Sequence, residues 1–423
     1  MIQFRRIDGA YGIPVFFQQL PEAVNPFSIR WIMFTGSADD RTVGDDGIYH
    51  WFEHVPFRGT KKYPNGPAET ADRYARYGGL VTAETGLVST TFWAHVPKRF
   101  WREALDVTAN LVAEPMMTDA AITAEREIIV KERRDRLSDA FASALYHLFP
   151  LLWGDHPLGH LPIGSEAAVS GMTPELLRRS HARGYARSRT VLFVAGDCSP
   201  DELREVVAES ASALSNLPLT ERRAPASYGE LPSWECGNTT EIETPFQTSV
   251  VFLLFPVASR GDDPAQFRRW TRLEHLLTDG DTTAPLLRIT REERQLVYGA
   301  EIFSVLGPDG GFWGFLAGTE IDKTDALREA FRDVLQDAQP RDPSWYEYSQ
   351  DAIRSTPGMR VVDPHAYTKI ADRRLTAAGE ELDDETYVHL LTGTPHQEVV
   401  ELLDALTPDR ARTIIFLGTG QVE

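Results

Sequence analysis

Residues 187–196 read Arg-Ser-Arg-Thr-Val-Leu-Phe-Val-Ala-Gly, and residues 410–418 read Arg-Ala-Arg-Thr-Ile-Ile-Phe-Leu-Gly. Both stretches combine β-branched and apolar residues over the length of a buried strand. Each follows a segment of helical character that opens with Thr-Pro, at Thr173-Pro174 and Thr394-Pro395. In such a pair, Thr can cap a helix and Pro can occupy its first turn. The two stretches are offset by 223 residues, which predicts one structural unit used twice.

A second pair of segments repeats at nearly the same spacing. Phe92-Trp93 precedes Arg102-Glu-Ala-Leu-Asp-Val107, and Phe312-Trp313 precedes Arg328-Glu-Ala-Phe-Arg-Asp-Val334. The offsets are 220 residues for the aromatic pairs and 226 residues for the segments that follow them. Several similarities in the same order indicate two homologous halves.

The boundary between the halves is expected in a stretch rich in proline and glycine. Residues 216–240 show little apolar periodicity, so we expect them to link an amino-terminal domain, 1–215, to a carboxy-terminal domain, 241–423. A chain of 423 residues is also too long for one ordinary core.

Apolar periodicity gives the expected fold class. Continuous apolar runs predict buried strands at 28–34 and 247–255, and amphipathic spacing predicts helices at 119–139 and 323–337. The expected fold is therefore α+β, with two homologous sandwich-like halves, each a mixed, mainly antiparallel sheet packed with helices.

Charge and composition exclude several functional classes. The formal net charge of −19 argues against a nucleic-acid partner, because phosphate binding requires clustered Lys and Arg. If part of this charge lines a cavity, it attracts basic peptides over a Debye length of roughly 8–10 Å. The alternative is an acidic surface that only maintains solubility.

The compartment is predicted from what the sequence lacks. The first residues contain no apolar run before a small-residue cleavage site, and no apolar stretch of about 18 residues occurs in the chain. The two cysteines, Cys198 and Cys236, have no metal-binding spacing and are expected to be buried thiols. We therefore expect no membrane span, no secretion and a cytoplasmic location.

The stretch His50-Trp51-Phe52-Glu53-His54 predicts a metal centre. On a helix, His50, Glu53 and His54 project from one face, because they are spaced i, i+3, i+4. Two neutral imidazoles can take adjacent corners of a zinc tetrahedron, and the carboxylate lies close enough to act on a water molecule there. HxxEH is the inverted relative of the HExxH zinc motif.

The third protein ligand is expected from another segment. Residues 123–135 have a high helix propensity. Glu125 and Glu132 lie seven residues apart, so they share one face of the predicted helix. A solvated, ion-paired helix surface is the alternative interpretation of this charge run. Helical phase turns Glu127 away from Glu132, which leaves Asp135 as the weaker alternative ligand.

Five motifs together resemble one family of enzymes. They occur in this order: Gly36-Ser37, Gly47-Ile48-Tyr49-His50-Trp51-Phe52-Glu53-His54, Phe57-Arg58-Gly59-Thr60, Gly78-Gly79 with Ala83 and Thr85, and Glu125-Arg126-Glu127-Ile128-Ile129-Val130-Lys131-Glu132. The chain resembles the pitrilysin/insulinase family of inverted-motif zinc peptidases, and within it the short-chain branch that includes mitochondrial processing peptidase and its bacterial relatives. The resemblance covers nearly the whole chain.

The resemblance implies a role for each site residue. It makes His50 and His54 zinc ligands and Glu53 the general base of an endopeptidase that binds one Zn²⁺ per chain. It makes Glu132 the third ligand. It makes Glu125 an acid that does not bind the metal but orients the residues that do.

The resemblance also implies a substrate-binding surface. Arg291-Glu-Glu-Arg-Gln-Leu-Val-Tyr298 resembles the Arg/Tyr element that holds substrate, although taken alone it is an ordinary amphipathic helix that runs into a strand. Ala83 lies on the strand thought to pair with the peptide.

Three departures from the family pattern put substrate preference in doubt more than catalysis: Thr82 in place of Asn, Val55-Pro56 in place of a Met-Leu type pair, and Ala284-Pro285 in place of a polar pair.

Assembly is implied by chain length. In relatives of this length, two chains close into a clamshell, and the Arg/Tyr element of one reaches the zinc site of the other. This chain carries both motifs, so a homodimer is expected first and a heterodimer with a related subunit second. The alternatives to a peptidase are a non-catalytic structural subunit, like the core proteins of a respiratory complex, and a zinc hydrolase that acts on a non-peptide substrate.

Overall fold

Two β-sheets, one in each half of the chain, organise the fold. The first contains β1 (Arg5–Ile7), β2 (Val15–Gln19), β3 (Pro26–Met33), β4 (Leu80–Thr85), β5 (Thr90–Pro97) and β6 (Thr190–Gly196). The second contains β7 (Thr239–Thr244), β8 (Thr248–Val257), β9 (Ala300–Gly307), β10 (Gly310–Glu320) and β11 (Arg412–Gly418). The computed structural model describes residues 1–7, 9–40, 46–220, 227–263, 265–359, 362–379 and 382–420.

The two sheets share one strand order. The order is β1-β2-β6-β3-β5-β4 in the first sheet and β7-β11-β8-β10-β9 in the second, so five strands correspond one to one once β1 is set aside. In both sheets the pairs β2–β6 and β7–β11 are parallel, and the other ladders are antiparallel. The predicted fold class, two halves with mixed, mainly antiparallel sheets, is confirmed.

Helices connect and cover the sheets. In the first half they are α1 (Trp51–His54), α2 (Asp72–Ala75), α3 (Trp101–Ala113), α4 (Asp119–Leu137), α5 (Ala140–Trp153), α6 (Glu166–Ser170), α7 (Pro174–Gly184) and α8 (Pro200–Ser210). In the second half they are α9 (Gln266–Thr278), α10 (Pro285–Leu287), α11 (Thr324–Gln336), α12 (Pro343–Met359), α13 (Pro364–Ala378), α14 (Asp384–Thr392) and α15 (His396–Asp404).

The repeated sequence segments occupy equivalent places. The two aromatic pairs lie in β5 and β10, and the segments that follow them lie in α3 and α11. Thr173 caps α7 by accepting a hydrogen bond from the Leu176 N–H, as expected. Thr394 does not cap α15, because Pro395 holds the cap position and the helix begins at His396. The hydroxyl of Thr394 donates instead to the carbonyl of Leu390 in the preceding helix.

Each half contributes a helix to the sheet of the other half. Apolar residues of α5, among them Leu148 and Trp153, pack on Phe252 and Phe312 of the second sheet. In the opposite direction, Tyr367, Ala371 and Leu375 of α13 pack on β3 and β6 of the first sheet. A fully buried Leu or Phe side chain contributes about 1.5–3 kcal/mol, so these exchanged helices join the halves firmly.

Polar contacts tie α13 to the edge of the first sheet. Arg30 on β3 is fully buried, and its Nη1 lies 3.2 Å from Asp372 Oδ2 on α13 and 2.8 Å from Glu84 Oε1 on β4. Ser28 and Thr368 form a buried hydroxyl–hydroxyl hydrogen bond of 2.9 Å beside them. Arg30 therefore connects the second half to the edge strand β4.

After the 3₁₀ turn Ala213–Asn216, the described part of the expected linker has no helix or strand before β7. Residues 221–226 of it lie outside the described residues, and the domain boundaries at 215 and 241 stay predictions. Both cysteines are free thiols; Cys198 is buried as expected, whereas Cys236, on this segment, is only half-buried. Among the described residues, the helices are too short or too polar to cross a bilayer.

Candidate metal centre

The His50–His54 segment forms a short helical turn with a buried side and a polar side. His50 has helical backbone angles immediately before α1, and α1 passes at its end into a 3₁₀ turn, Val55–Arg58. Pro56 lacks an N–H group, so it cannot extend the α-helical hydrogen bonds, which explains the change of helix type. Trp51 and Phe52 are fully buried in the first core, which turns the polar side toward α4.

Three ligand atoms meet between this turn and α4. The Nε2 atoms of His50 and His54 are 3.4 Å apart. Glu132 Oε2 lies 3.5 Å from His50 Nε2 and 3.3 Å from His54 Nε2. The two histidines and the glutamate on α4 therefore form a nearly equilateral triangle of donors.

The dimensions of this triangle suit a zinc ion. Zinc bonds to nitrogen and oxygen of roughly 2.0–2.2 Å place neighbouring ligand atoms of a tetrahedron about 3.3–3.6 Å apart. All three measured separations fall in this range. Two imidazoles with one carboxylate also match the donor set of many catalytic zinc sites, which leave a fourth position open.

Glu53 lies beside this triangle and is not one of its three corners. Its Oε2 is 3.7 Å from His50 Nε2, and its side chain is 23% exposed. His50, Glu53 and His54 also form a group whose ligand atoms all lie within 4.8 Å of one another. Glu132 lies within 4.0 Å of both imidazole Nε2 atoms, whereas Glu53 lies within that distance of His50 alone.

A second layer of contacts holds the ligands. His54 Nδ1 lies 3.0 Å from Glu125 Oε2, and Glu125 also accepts a hydrogen bond from Arg58 Nε through its other oxygen. Arg136 Nη2 donates to Glu132 Oε1 at 2.5 Å, which leaves Oε2 facing the histidines. Glu125 is 5% exposed, so Arg58 neutralises a carboxylate that would otherwise be buried with a net charge.

The carboxylates make the site favourable for positive charge. Burial lowers the pKa of His54, but hydrogen bonds with Glu125 and Glu132 outweigh burial and raise that pKa to about 9. Burial likewise opposes ionisation of Glu132, yet His50 and His54 hold the pKa of Glu132 well below its usual range. A metal cation at this point would be stabilised by the same acids.

Comparison with known proteins identifies the family. Residues 25–160 match the family model described as insulinase (peptidase family M16), and residues 171–348 match the model described as the peptidase M16 inactive domain. The chain belongs to the pitrilysin/insulinase (M16) family. An uncharacterized zinc protease of Mycobacterium leprae is 28% identical over 344 residues, which span 77% of this chain and 72% of that protein.

Solved structures of M16 proteins share the fold. A protease from Helicobacter pylori superposes with a TM-score of 0.85 at 17% identity, over 98% of this chain and 99% of that one. Pitrilysin superposes with a TM-score of 0.74 at 18% identity, over 99% of this chain but only 45% of pitrilysin. The present chain thus matches about half of the length of pitrilysin.

The two M16 models fall on different halves of the chain. The HxxEH motif lies within the match to the insulinase model, and the sequence from 241 to 423 contains no second HxxEH. The inactive-domain model matches residues 171–348, most of which belong to the second half. The chain therefore offers one motif-based metal centre.

The predicted rivals for the third ligand are not at the site. Glu127 and Asp135 are both exposed on α4, and within the described ranges neither forms an ion pair with His50 or His54. The expectation that Glu127 faces away from Glu132 agrees with this arrangement.

The predicted substrate strand adjoins the metal centre. Ala83 lies on β4, the outer strand of the first sheet, and pairs with Phe92 of β5 on one side. The metal-centre helix α1 packs against β4. Among the described strands, none pairs with the other edge of β4.

The predicted Arg/Tyr pair lies elsewhere in the chain. Arg291 is in a π-type turn, Arg288–Glu293, and its guanidinium lies 5.5 Å from the ring centre of Tyr298. Both line a cavity of about 640 Å³ that also includes Phe141 from α5. In the part of the chain that the structure describes, no hydrogen bond or ion pair joins them to the metal centre.

Two arginines at the site have no role assigned from the sequence. Arg58 belongs to the motif Phe57-Arg58-Gly59-Thr60 and lies on the 3₁₀ turn that follows α1. Arg136 lies four residues after Glu132, a spacing that favours an ion pair on a helix. This spacing was the available signal for Arg136, whereas the partner of Arg58, Glu125, lies 67 positions away, beyond the reach of a local pattern.

Proposed function

We propose that this protein is a zinc-dependent endopeptidase with one Zn²⁺ per chain, held by His50, His54 and Glu132. The observation that carries the proposal is the triangle of Nε2, Nε2 and Oε2 atoms with sides of 3.3–3.5 Å. The uncharacterized zinc proteases among the sequence relatives support it.

Each residue has a separate part in the proposed reaction. Bound zinc would supply Lewis-acid chemistry, which polarises the scissile carbonyl group and acidifies water. Glu53 is placed to accept a proton from the attacking water and to deliver it to the leaving amine. Glu125 accepts the Nδ1–H of His54, which fixes the tautomer whose Nε2 is free to bind metal. Arg58 holds Glu125 in that position.

The proposed substrates are peptides or unfolded segments. An extended peptide can add to the free edge of β4 through main-chain hydrogen bonds, which a folded domain cannot offer. The net charge of −19 favours basic peptides among them. The cytoplasmic location stays a prediction.

The proposed active unit is a homodimer that encloses a chamber. Tyr298 is 92% exposed, and Arg291 beside it is partly exposed, so a second copy could meet both residues. In this arrangement, Arg291 and Tyr298 of one chain hold substrate and stabilise the developing oxyanion at the zinc site of the other. A heterodimer with a related subunit is the alternative assembly.

Metal removal tests the proposed function. Purified protein is expected to contain about one zinc per chain and to cleave an unstructured basic peptide, because the site has one complete set of ligands. A chelator should abolish cleavage, and added Zn²⁺ should restore it; mass spectrometry of the products and elemental analysis measure both. Stoichiometric zinc without cleavage of any peptide in a broad library would favour a structural subunit or another zinc hydrolase.

Subunit complementation tests the proposed dimer. Glu53→Gln chains and Arg291→Ala/Tyr298→Ala chains should each be nearly inactive, because each homodimer lacks one part of the site. Mixed dimers contain one site with all parts, so about a quarter to a half of the wild-type rate should return, depending on the extent of mixing. Confirmed mixed dimers with no recovered activity would contradict sites built from two chains.

A further inference from the structure

A separate cavity of about 400 Å³ lies in the second half of the chain. It is enclosed by the helices α9, α12, α13 and α14 and by one face of β9. Its apolar wall is formed by Phe267, Leu306, Ile353, Pro357, Ile370 and Val388. The volume and the apolar lining are those of sites that bind small organic molecules.

The periodicity of two elements explains why polar groups enter this cavity. Phe267, Thr271 and Glu274 recur at i, i+4 and i+7, so they share one face of α9. Ser304 and Leu306 are two residues apart, so their side chains lie on the same face of β9. Both faces meet at the cavity, and together they contribute the carboxyl group of Glu274 and the hydroxyl groups of Thr271 and Ser304.

Glu274 is the acidic side chain that the described residues place in the cavity lining. It is half-buried, and among the described residues it forms no hydrogen bond or ion pair through its carboxylate. His275 beside it is held by Asp279 at 3.0 Å, and Arg374 across the cavity is held by Asp384 at 2.9 Å. Burial raises the pKa of Glu274, which reflects the cost of an uncompensated charge in apolar surroundings.

The remaining charged residue of the lining does not neutralise Glu274. Arg373 is solvent-exposed on α13 and forms no ion pair within the described part of the chain. A cation that enters the cavity would pair with the carboxylate of Glu274. The apolar part of the same molecule would then pack against the apolar wall of the cavity. Ammonium-to-carboxylate hydrogen bonds are stronger than neutral ones, so the charge would decide the affinity.

We propose that this cavity binds a small amphipathic cation, with a primary ammonium group held by Glu274 and an apolar body between Phe267, Ile353 and Leu306. The site is distinct from the zinc centre in residues and in chemistry. Its occupation does not depend on peptidase activity, so the two proposals can fail separately.

A matched set of indoles tests the proposal by calorimetry on the full-length, zinc-loaded protein. Tryptamine carries an ammonium group, tryptophol replaces it with a hydroxyl, and indole-3-propionate replaces it with a carboxylate. Tryptamine is expected to bind at least about tenfold more tightly than tryptophol, because its hydrogen bond to Glu274 is charge-assisted. Indole-3-propionate should bind most weakly. Tryptamine binding should not change when zinc is removed.

Variants assign the effect to the cavity. Glu274→Gln should lower tryptamine affinity to that of tryptophol, and Ser304→Leu should abolish binding of both by filling the cavity from β9. Glu347→Gln, an exposed acid on α12, is the control and should change neither affinity. Thermal unfolding and zinc content verify that each variant is folded. Equal affinities for tryptamine and tryptophol, a preference that survives Glu274→Gln, or no binding of any indole would each overturn the proposal.

Discussion

Replacing Glu53 with Gln is expected to leave zinc bound and to lower turnover by about 10²–10⁴-fold, the usual contribution of a general base. Gln preserves the shape of the side chain but cannot accept the proton from water. The donor triangle of His50, His54 and Glu132 does not include Glu53, so the affinity for zinc should stay close to that of the wild type.

Peptide cleavage and elemental analysis on the same preparation measure this separation. Glu127→Gln is the matched control, because Glu127 is an exposed acid on α4 outside the donor triangle. It should retain both zinc and activity. A Glu53→Gln protein that cleaves peptide at the wild-type rate would exclude Glu53 as the general base.

Loss of a ligand should have a different outcome, in which zinc and activity disappear together. Mutation of a residue that hydrogen-bonds to a metal ligand typically lowers metal affinity by about 10–100-fold. His54→Ala and Glu132→Ala each remove a ligand itself, so the loss of zinc affinity should exceed that range. Each removes one of three donors, and each leaves an acid or an imidazole of the site without its partner.

Zinc affinity measured against a competing chelator distinguishes the acids of α4. Asp135→Ala is the informative control, since Asp135 is the weaker alternative ligand from the sequence and is exposed in the structure. It should bind zinc like the wild type. If Asp135→Ala lost zinc and Glu132→Ala kept it, the assignment of the third ligand would be wrong.

The apolar periodicity of the sequence predicted the fold class, and its repeated motifs predicted the two halves. The runs at 187–196 and 410–418 became equivalent strands, β6 and β11, because an apolar, β-branched run is stable where both faces of a sheet are covered. The spacing of His50, Glu53 and His54 predicted one polar face, since helical geometry depends only on neighbouring residues.

Other features depend on contacts between distant segments and could not be predicted in this way. The exchange of α5 and α13 between the sheets depends on which apolar surfaces meet after folding. The hydrogen bond from Arg58 to Glu125 joins residues 67 positions apart. Thr394-Pro395 matched the pattern of a helix cap, but α15 begins one residue later than this pattern predicts, so Pro395 holds the cap position.

The roles of Arg291 and Tyr298 stay predictions for a physical reason. Their sequence pattern is that of an amphipathic helix, and within one described chain they line a cavity of their own. In the proposed homodimer a second chain would bring them to a zinc site, and a single sequence does not contain that arrangement.

Anomalous X-ray diffraction at the zinc edge, on crystals of the zinc-loaded protein, tests the central claim most directly. We predict one strong peak per chain, at roughly 2.0–2.2 Å from His50 Nε2, His54 Nε2 and a carboxylate oxygen of Glu132. A peak elsewhere, or an ion coordinated without Glu132, would contradict the proposed metal centre.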